Sequence, residues 1–183
     1  MVLFSENGFH NVSMQQIAKK AEFAIGTLYN FFDNKDDIYI TIIRELTDKF
    51  HGALTRAIET GDCEVEKLRK YITVKNTVFR ENLAVVRLYH RETIGTSFSI
   101  KAGLDDGIRV QYAQFMNCLA GVFEDGIRKK RFNKIAEPIY LAVAIDSLTN
   151  AILLGCLEDP ENRSYPEDPD VLLNIFFKGL LDS

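Results

Sequence analysis

Proline is nearly missing from this chain. The only four in 183 residues are Pro138, Pro160, Pro166 and Pro169. Upstream of Pro138 nothing imposes a fixed φ or removes a backbone N–H, so long helices are unobstructed there. Alternation of apolar and polar residues is equally scarce; apolar residues recur at steps of three and four almost throughout. That period argues against a sheet and makes the fold class all-α. Cysteine is sparse too. Cys63, Cys118 and Cys156 lie far apart without paired spacing, which argues against a disulfide framework or a zinc site and suits buried free thiols in a reducing, cytoplasmic setting. No stretch is read as long and apolar enough to cross a bilayer, and Met1–Phe4 lacks the basic start of a signal peptide, so no membrane partner is expected. A net charge of −4 argues against a nucleic-acid coat over the whole surface, so any DNA contact must be local. Glycine-rich phosphate loops, His-Glu-x-x-His and Gly-x-Ser-x-Gly are absent. His90-Arg91-Glu92 has the His-x-Glu start of a zinc deaminase, but no Pro-Cys-x-x-Cys follows. The expectation is a protein that is not an enzyme and needs no metal or cofactor.

What the chain does carry is helix punctuation. Ser13 is a good N-cap, Gln16 stands three residues on to complete a capping box, and Val12 with Ile17 forms a hydrophobic staple. The helix they open runs to about Ala21, and Glu22-Phe23-Ala24 makes a short break. A second short helix over about 25–32 places Leu28 and Phe32 on one face. Two short helices joined by three residues have the geometry of a helix-turn-helix. Asp33-Asn34 then caps a long helix to Glu59, with Ile38, Ile42, Leu46, Phe50 and Leu54 four apart. Further helices are read over 63–81, 83–94, about 108–127 and 138–157, and from Pro169 to about Leu181, with Thr96–Gly107 as a loop. The basic run Arg128–Arg131 complements a helix C-terminus and reads as solvated. The helix of 138–157 is apolar on nearly every side and must be covered on more than one. A second copy of the chain is an economical cover, giving a two-fold four-helix interface with Leu141, Ile145, Leu148, Ile152, Leu172, Ile175 and Phe176 in it. A central core helix within one subunit remains the alternative.

The segment Met14–Lys35 closely resembles the signature of the TetR family of transcriptional regulators, through Ile17-Ala18, Ala21, Gly26, Leu28-Tyr29, Phe32 and Lys35. Leu3–Phe9 resembles the end of that family's first helix and the Gly-Phe that follows it. The resemblance covers about the first fifty residues. It implies a DNA-binding domain over 1–36 and a helical effector-binding and dimerisation domain over 37–183. The implied partners are a double-stranded DNA operator, a small-molecule effector and a second copy. The implied function is a ligand-responsive repressor released from its operator when an inducer spreads the two reading heads.

In that arrangement the first residues of the recognition helix, Ala24, Ile25 and Gly26, face base edges. Gly26 permits close backbone approach, and Thr27 offers a hydroxyl and a methyl. Tyr29 and Asn30 suit phosphate contacts. Lys35 is a cation in a first turn, opposed by the macrodipole unless a phosphate compensates it. Ser13 touches a phosphate by resemblance alone. A plain solvated surface remains open for Thr27, Asn30 and Lys35, and partial packing for Tyr29. The effector cavity that the resemblance implies has Tyr71, Phe79, Arg87, His90, Tyr112 and Phe115 as candidate lining. Core packing explains the aromatics more often than a ligand does, and a hydrogen-bonded core role is the commoner one for a histidine such as His90.

Three departures from the family pattern stand out. Glu22 and Ala24 occupy positions where the family has a glycine and a capping Ser or Thr. The first helix reads as cut short, as though the chain starts late. Residues 1–50 hold five cations against seven anions, a net of −2, which is poor for phosphate binding. These departures keep an alternative function open: a helical dimer that binds a ligand or a protein and has lost DNA binding.

Overall fold

The structure is a computed structural model that describes residues 2–94 and 106–178, with all their side chains except those of residues 2, 5 and 89–94. Among these residues all regular structure is helical: α1 (Val2–Asn7), α2 (Met14–Lys20), α3 (Ile25–Tyr29), α4 (Lys35–Glu59), α5 (Glu64–Glu81), α6 (Leu83–Ile94), α7 (Asp106–Arg128), α8 (Pro138–Glu158) and α9 (Pro169–Lys178). The expected loop at 96–107 falls mainly outside the described residues, as does the expected last turn to Leu181. By backbone proximity the chain divides into two compact units, Met1–Asp48 with Asn82–Val110, and Lys49–Glu81 with Gln111–Ser183. A division at position 36 differs from this because α4 runs on unbroken through that point and α6 packs on α1.

The first unit is built on Phe4, Phe9, Val12, Ala18, Leu28, Ile38, Tyr39, Ile43, Leu88 and Ile108. Gly8 closes α1 with φ 79°, a left-handed cap that costs an L-residue and costs glycine nothing. The chain can therefore turn and bury Phe9, whose ring lies 5.4 Å from Phe4 and 5.2 Å from Tyr39. Asn34 caps α4 by accepting the Asp37 N–H at 2.9 Å.

The second unit buries Leu54, Leu68, Ile72, Phe115, Leu119, Phe123, Ile145 and Leu172 among others. Arg69 of α5 donates Nε and Nη2 to the two oxygens of Asp170 in α9, at 2.9 and 3.2 Å. After α7 the chain reverses through a left-handed Lys130, φ 58°, with Arg131 N–H bonded to Gly126 O at 2.8 Å and Lys130 N–H to Ile127 O at 3.0 Å. This double bond pattern aims Lys129 and Arg131 at the buried Glu64, which accepts from them at 2.6 and 2.8 Å. Two residues of the basic run thus have a structural use beyond solvation.

Hydrogen bonds from Lys129 and from Glu64's own backbone, then the charges of Arg131 and Lys129, outweigh burial and bring the Glu64 carboxyl from an ordinary 4.5 down to about 2. A folded-state value below the unfolded one stabilises the protein above pH 4.5 and is lost as pH falls toward 2. Glu64→Gln should therefore be less stable than the parent near neutral pH, by about 1–3 kcal/mol. That gap should close as denaturation is repeated at falling pH; a gap that stays constant contradicts the assignment.

Candidate functional site

The helix-turn-helix forms as its punctuation requires. Gln16 N–H donates to Ser13 Oγ at 3.3 Å and Ser13 N–H to Gln16 Oε1 at 2.8 Å, with Val12 buried and Ile17 packed on the core beneath. The Ser13 hydroxyl also donates to Gln16 Oε1 at 3.1 Å, so its only proton is used inside the box. The end of α2 is a Schellman motif, with Phe23 N–H on Ala18 O at 2.9 Å and Glu22 N–H on Lys19 O at 3.3 Å. This places Glu22 at the left-handed position, φ 59°, where glycine is favoured. Glu22→Gly should raise unfolding stability by about 1 kcal/mol, read as a higher denaturation midpoint with an unchanged slope. No gain would mean that the turn is unstrained.

The turn delivers α3 with only Leu28 buried. Ala24 precedes it as an N-cap without a side-chain bond, as its methyl requires. Ile25, Gly26, Tyr29 and Asn30 are exposed and Thr27 is half-buried, with Tyr29 at 52 % exposure. Lys35 differs from the expectation. Its ammonium donates to Phe9 O, His10 O and Val12 O at 3.0, 3.1 and 3.2 Å, and lies 4.7 Å from the centroid of the Phe9 ring. Three carbonyls take up its three protons and compensate the opposing macrodipole. In this structure Lys35 ties down the α1–α2 loop, and a phosphate is not needed to explain it.

In the second unit a polar cluster is sealed within the apolar interior. Lys75 is only 1 % exposed. Its Nζ donates to Asp146 Oδ1 at 2.6 Å, Thr149 Oγ1 at 2.7 Å and the Tyr71 hydroxyl oxygen at 2.9 Å. The Tyr71 hydroxyl donates to Asp146 Oδ1 at 2.8 Å. The second carboxylate oxygen of Asp146 accepts from Tyr112 Oη at 3.1 Å and Asn150 Nδ2 at 3.0 Å. His51 stacks on Phe115 with centroids 5.1 Å apart and 7° between planes, and reaches Tyr112 at 5.9 Å. Burial pushes Lys75 down to about 8, against the pull of Asp146. Asp146 is itself desolvated, yet the charge and hydrogen bond of Lys75, then Tyr71 and Tyr112, bring it below its ordinary value. Partial burial and the Asp146 charge raise Tyr112 to about 12.

Residues 1–42 match the sequence profile of bacterial regulatory proteins of the tetR family.

Over this segment the chain is similar to the TetR family.

Its curated relatives include the fatty acid metabolism regulator protein of Bacillus subtilis, 27 % identical over 128 residues, an alignment spanning 69 % of this chain and 63 % of the relative. The crystal structure of the transcriptional regulator FadR from B. subtilis in complex with stearoyl-CoA superposes with a TM-score of 0.80 at 20 % identity, covering 98 % of this chain and 94 % of the other. A putative fatty acid metabolism regulator of Clostridium perfringens gives 0.75 at 21 % identity, covering 99 % and 95 %. At these identities the two structures establish the fold.

Of the effector-site candidates, Tyr71, Tyr112 and Phe115 meet in one cluster. Phe79 is buried further along α5, outside that cluster, and Arg87 is exposed on α6 in the other unit. The His90 side chain lies outside the described residues. Sequence reasoning missed Lys75, Asp146, Thr149 and His51. Two signals were present. Lys75 falls on the inward stripe of Leu68, Ile72 and Phe79, and Asp146 is the only charge in α8 before its last residue, Glu158.

The α8–α9 surface needs a correction. By length and composition alone α8 is apolar enough to cross a bilayer, contrary to expectation, although its buried Asp146 is fully engaged with protein partners. Leu141, Ile145 and Leu172 are buried in their own unit and cannot meet a second copy. Ile152 and Phe176 also pack on that core and Leu148 is half-buried, whereas Ile175 is exposed. The open face of α8 carries Tyr140, Val143, Ala144, Ser147 and Ala151, and that of α9 Val171 and Ile175.

Proposed function

We propose that the protein is a ligand-responsive, DNA-binding transcriptional repressor, with its reading head within residues 1–36 and its effector and dimerisation elements within 37–183. The observation that carries this reading is α3, held by a capped α2 and a Schellman turn, with its outer face open to solvent. Such a helix lies in the major groove with its first residues toward base edges. Exposed Tyr29 and Asn30 supply phosphate contacts, as does Ser13 if Gln16 releases its hydroxyl. The exposed apolar faces of α8 and α9 pair with those of a second copy, which sets two heads on two half-sites.

The effector is a long apolar chain with a polar head, of the fatty acyl thioester type. The stearoyl-CoA bound by the B. subtilis regulator supports this, as does the apolar second unit with a buried polar cluster around Lys75 and Asp146. Tyr112 and Asn150, which join Asp146 from more exposed positions, are the groups a polar head reaches first. A soluble cytoplasmic protein follows from the same reading.

Retention on DNA in rising salt tests the reading. A linear fall of log affinity against log salt, with a specific sequence outcompeting bulk DNA, supports it. Retention no better than that of an unrelated acidic protein favours a helical dimer without DNA binding.

A further inference from the structure

The head reads DNA with little of the usual vocabulary. From Ala21 to Asn34 there is no arginine, lysine or glutamine, so the bidentate pairs that recognise guanine, and the glutamine that recognises adenine, are unavailable. Thr27 is half-buried, and Asn30 sits at the far end of α3. What projects at the near end is apolar: Phe23 is 59 % exposed and Ile25 38 %. Phe23 is turned outward by the Schellman motif that strains Glu22. Solvent is a poor partner for such side chains. Gly26 has an ordinary helical backbone, and a Cβ built there would meet no atom within 4 Å. Nothing inside the chain requires glycine at a position where it weakens the helix. A bare Cα there lets the backbone come close enough for short side chains to touch base edges.

We infer, resting on the DNA-reading proposal above, that operator sequence is recognised through apolar contact of Phe23 and Ile25 with thymine 5-methyl groups, the only apolar group on the major-groove edge. The half-site therefore carries thymines opposite the start of α3, and specificity rests on methyls more than on hydrogen bonds.

The test uses the full chain. A duplex selected from a random pool is synthesised with each thymine replaced singly by deoxyuridine, which pairs identically and lacks the methyl. Affinities are read by fluorescence anisotropy at fixed salt. One or two thymines per half-site should each lose roughly fourfold on losing the methyl, the equivalent of about 0.8 kcal/mol. Those losses should vanish in Phe23→Ala or Ile25→Ala. They should persist in Phe31→Ala, which removes an exposed ring beyond the end of α3. All three side chains are exposed, so helical circular dichroism should be unchanged. Uniform tolerance of deoxyuridine, or losses that persist unchanged in both Phe23→Ala and Ile25→Ala, overturns the inference and leaves DNA binding standing. A pool that enriches nothing overturns the DNA-reading proposal itself.

Discussion

Asp146→Ala should lower the unfolding free energy by about 3–5 kcal/mol, because it strands a buried ammonium without its counter-charge. Lys75 is held at 2.6 Å from that carboxylate, with Tyr71 and Thr149 around it. None of these neighbours replaces a full negative charge. Exchanging both partners at once, Lys75→Met with Asp146→Leu, should recover most of the loss, since two desolvated charges go together. Chemical denaturation of the three variants decides the matter. If the double variant is as unstable as the single, the cluster stabilises by shape and the charge pairing is incidental. Effector binding makes a separate readout, because a repacked apolar cluster keeps the fold and leaves Tyr112 and Asn150, the groups proposed to meet a polar head, without the Asp146 carboxylate that holds them.

Ala144→Glu should convert the protein to a monomer in sedimentation and weaken operator binding by at least about a hundredfold, the loss expected when two linked contacts become one. Ala144 sits in the exposed stripe with Tyr140, Val143, Ser147 and Ala151. In the proposed dimer each introduced carboxylate would meet an apolar surface and its own symmetry mate across the two-fold axis, where neither is neutralised cheaply. The fold of the single chain should be untouched, because the side chain points away from its core. Leu141→Ala is the instructive contrast. It lies on the same helix but inside the subunit, so it should cost about 2–5 kcal/mol of stability without a specific effect on assembly.

The head was the most legible part of the sequence because its determinants are local. Ser13, Gln16, Val12 and Ile17 lie within five residues of one another, and each acts on its neighbours. Glu22 was visible as a departure, but its left-handed backbone was not, because glutamate carries no signal for that position. Lys35 was misread for a related reason: its partners Phe9, His10 and Val12 lie more than twenty residues upstream, and nothing local announces them. In α8, apolar residues all round said that more than one side is covered without saying which side faces home. The polar residues held that answer. Asp146 and Thr149 fall on one stripe with Ala142, Ile145 and Leu153, and the partners of the buried charge come from the same chain. Followed from Asp146, the register would have placed Leu141 and Ile145 inward and Val143 and Ala144 outward.

Footprinting on the DNA upstream of the protein's own coding region, with and without stearoyl-CoA, tests the central claim most directly. The expected result is a protected stretch of two inverted half-sites with centres one helical turn or a multiple of it apart, fading as the acyl thioester is added. Protection that is absent at low salt, or that ignores the thioester at saturating concentration, would contradict the account of a DNA-binding head governed by a fatty acyl effector.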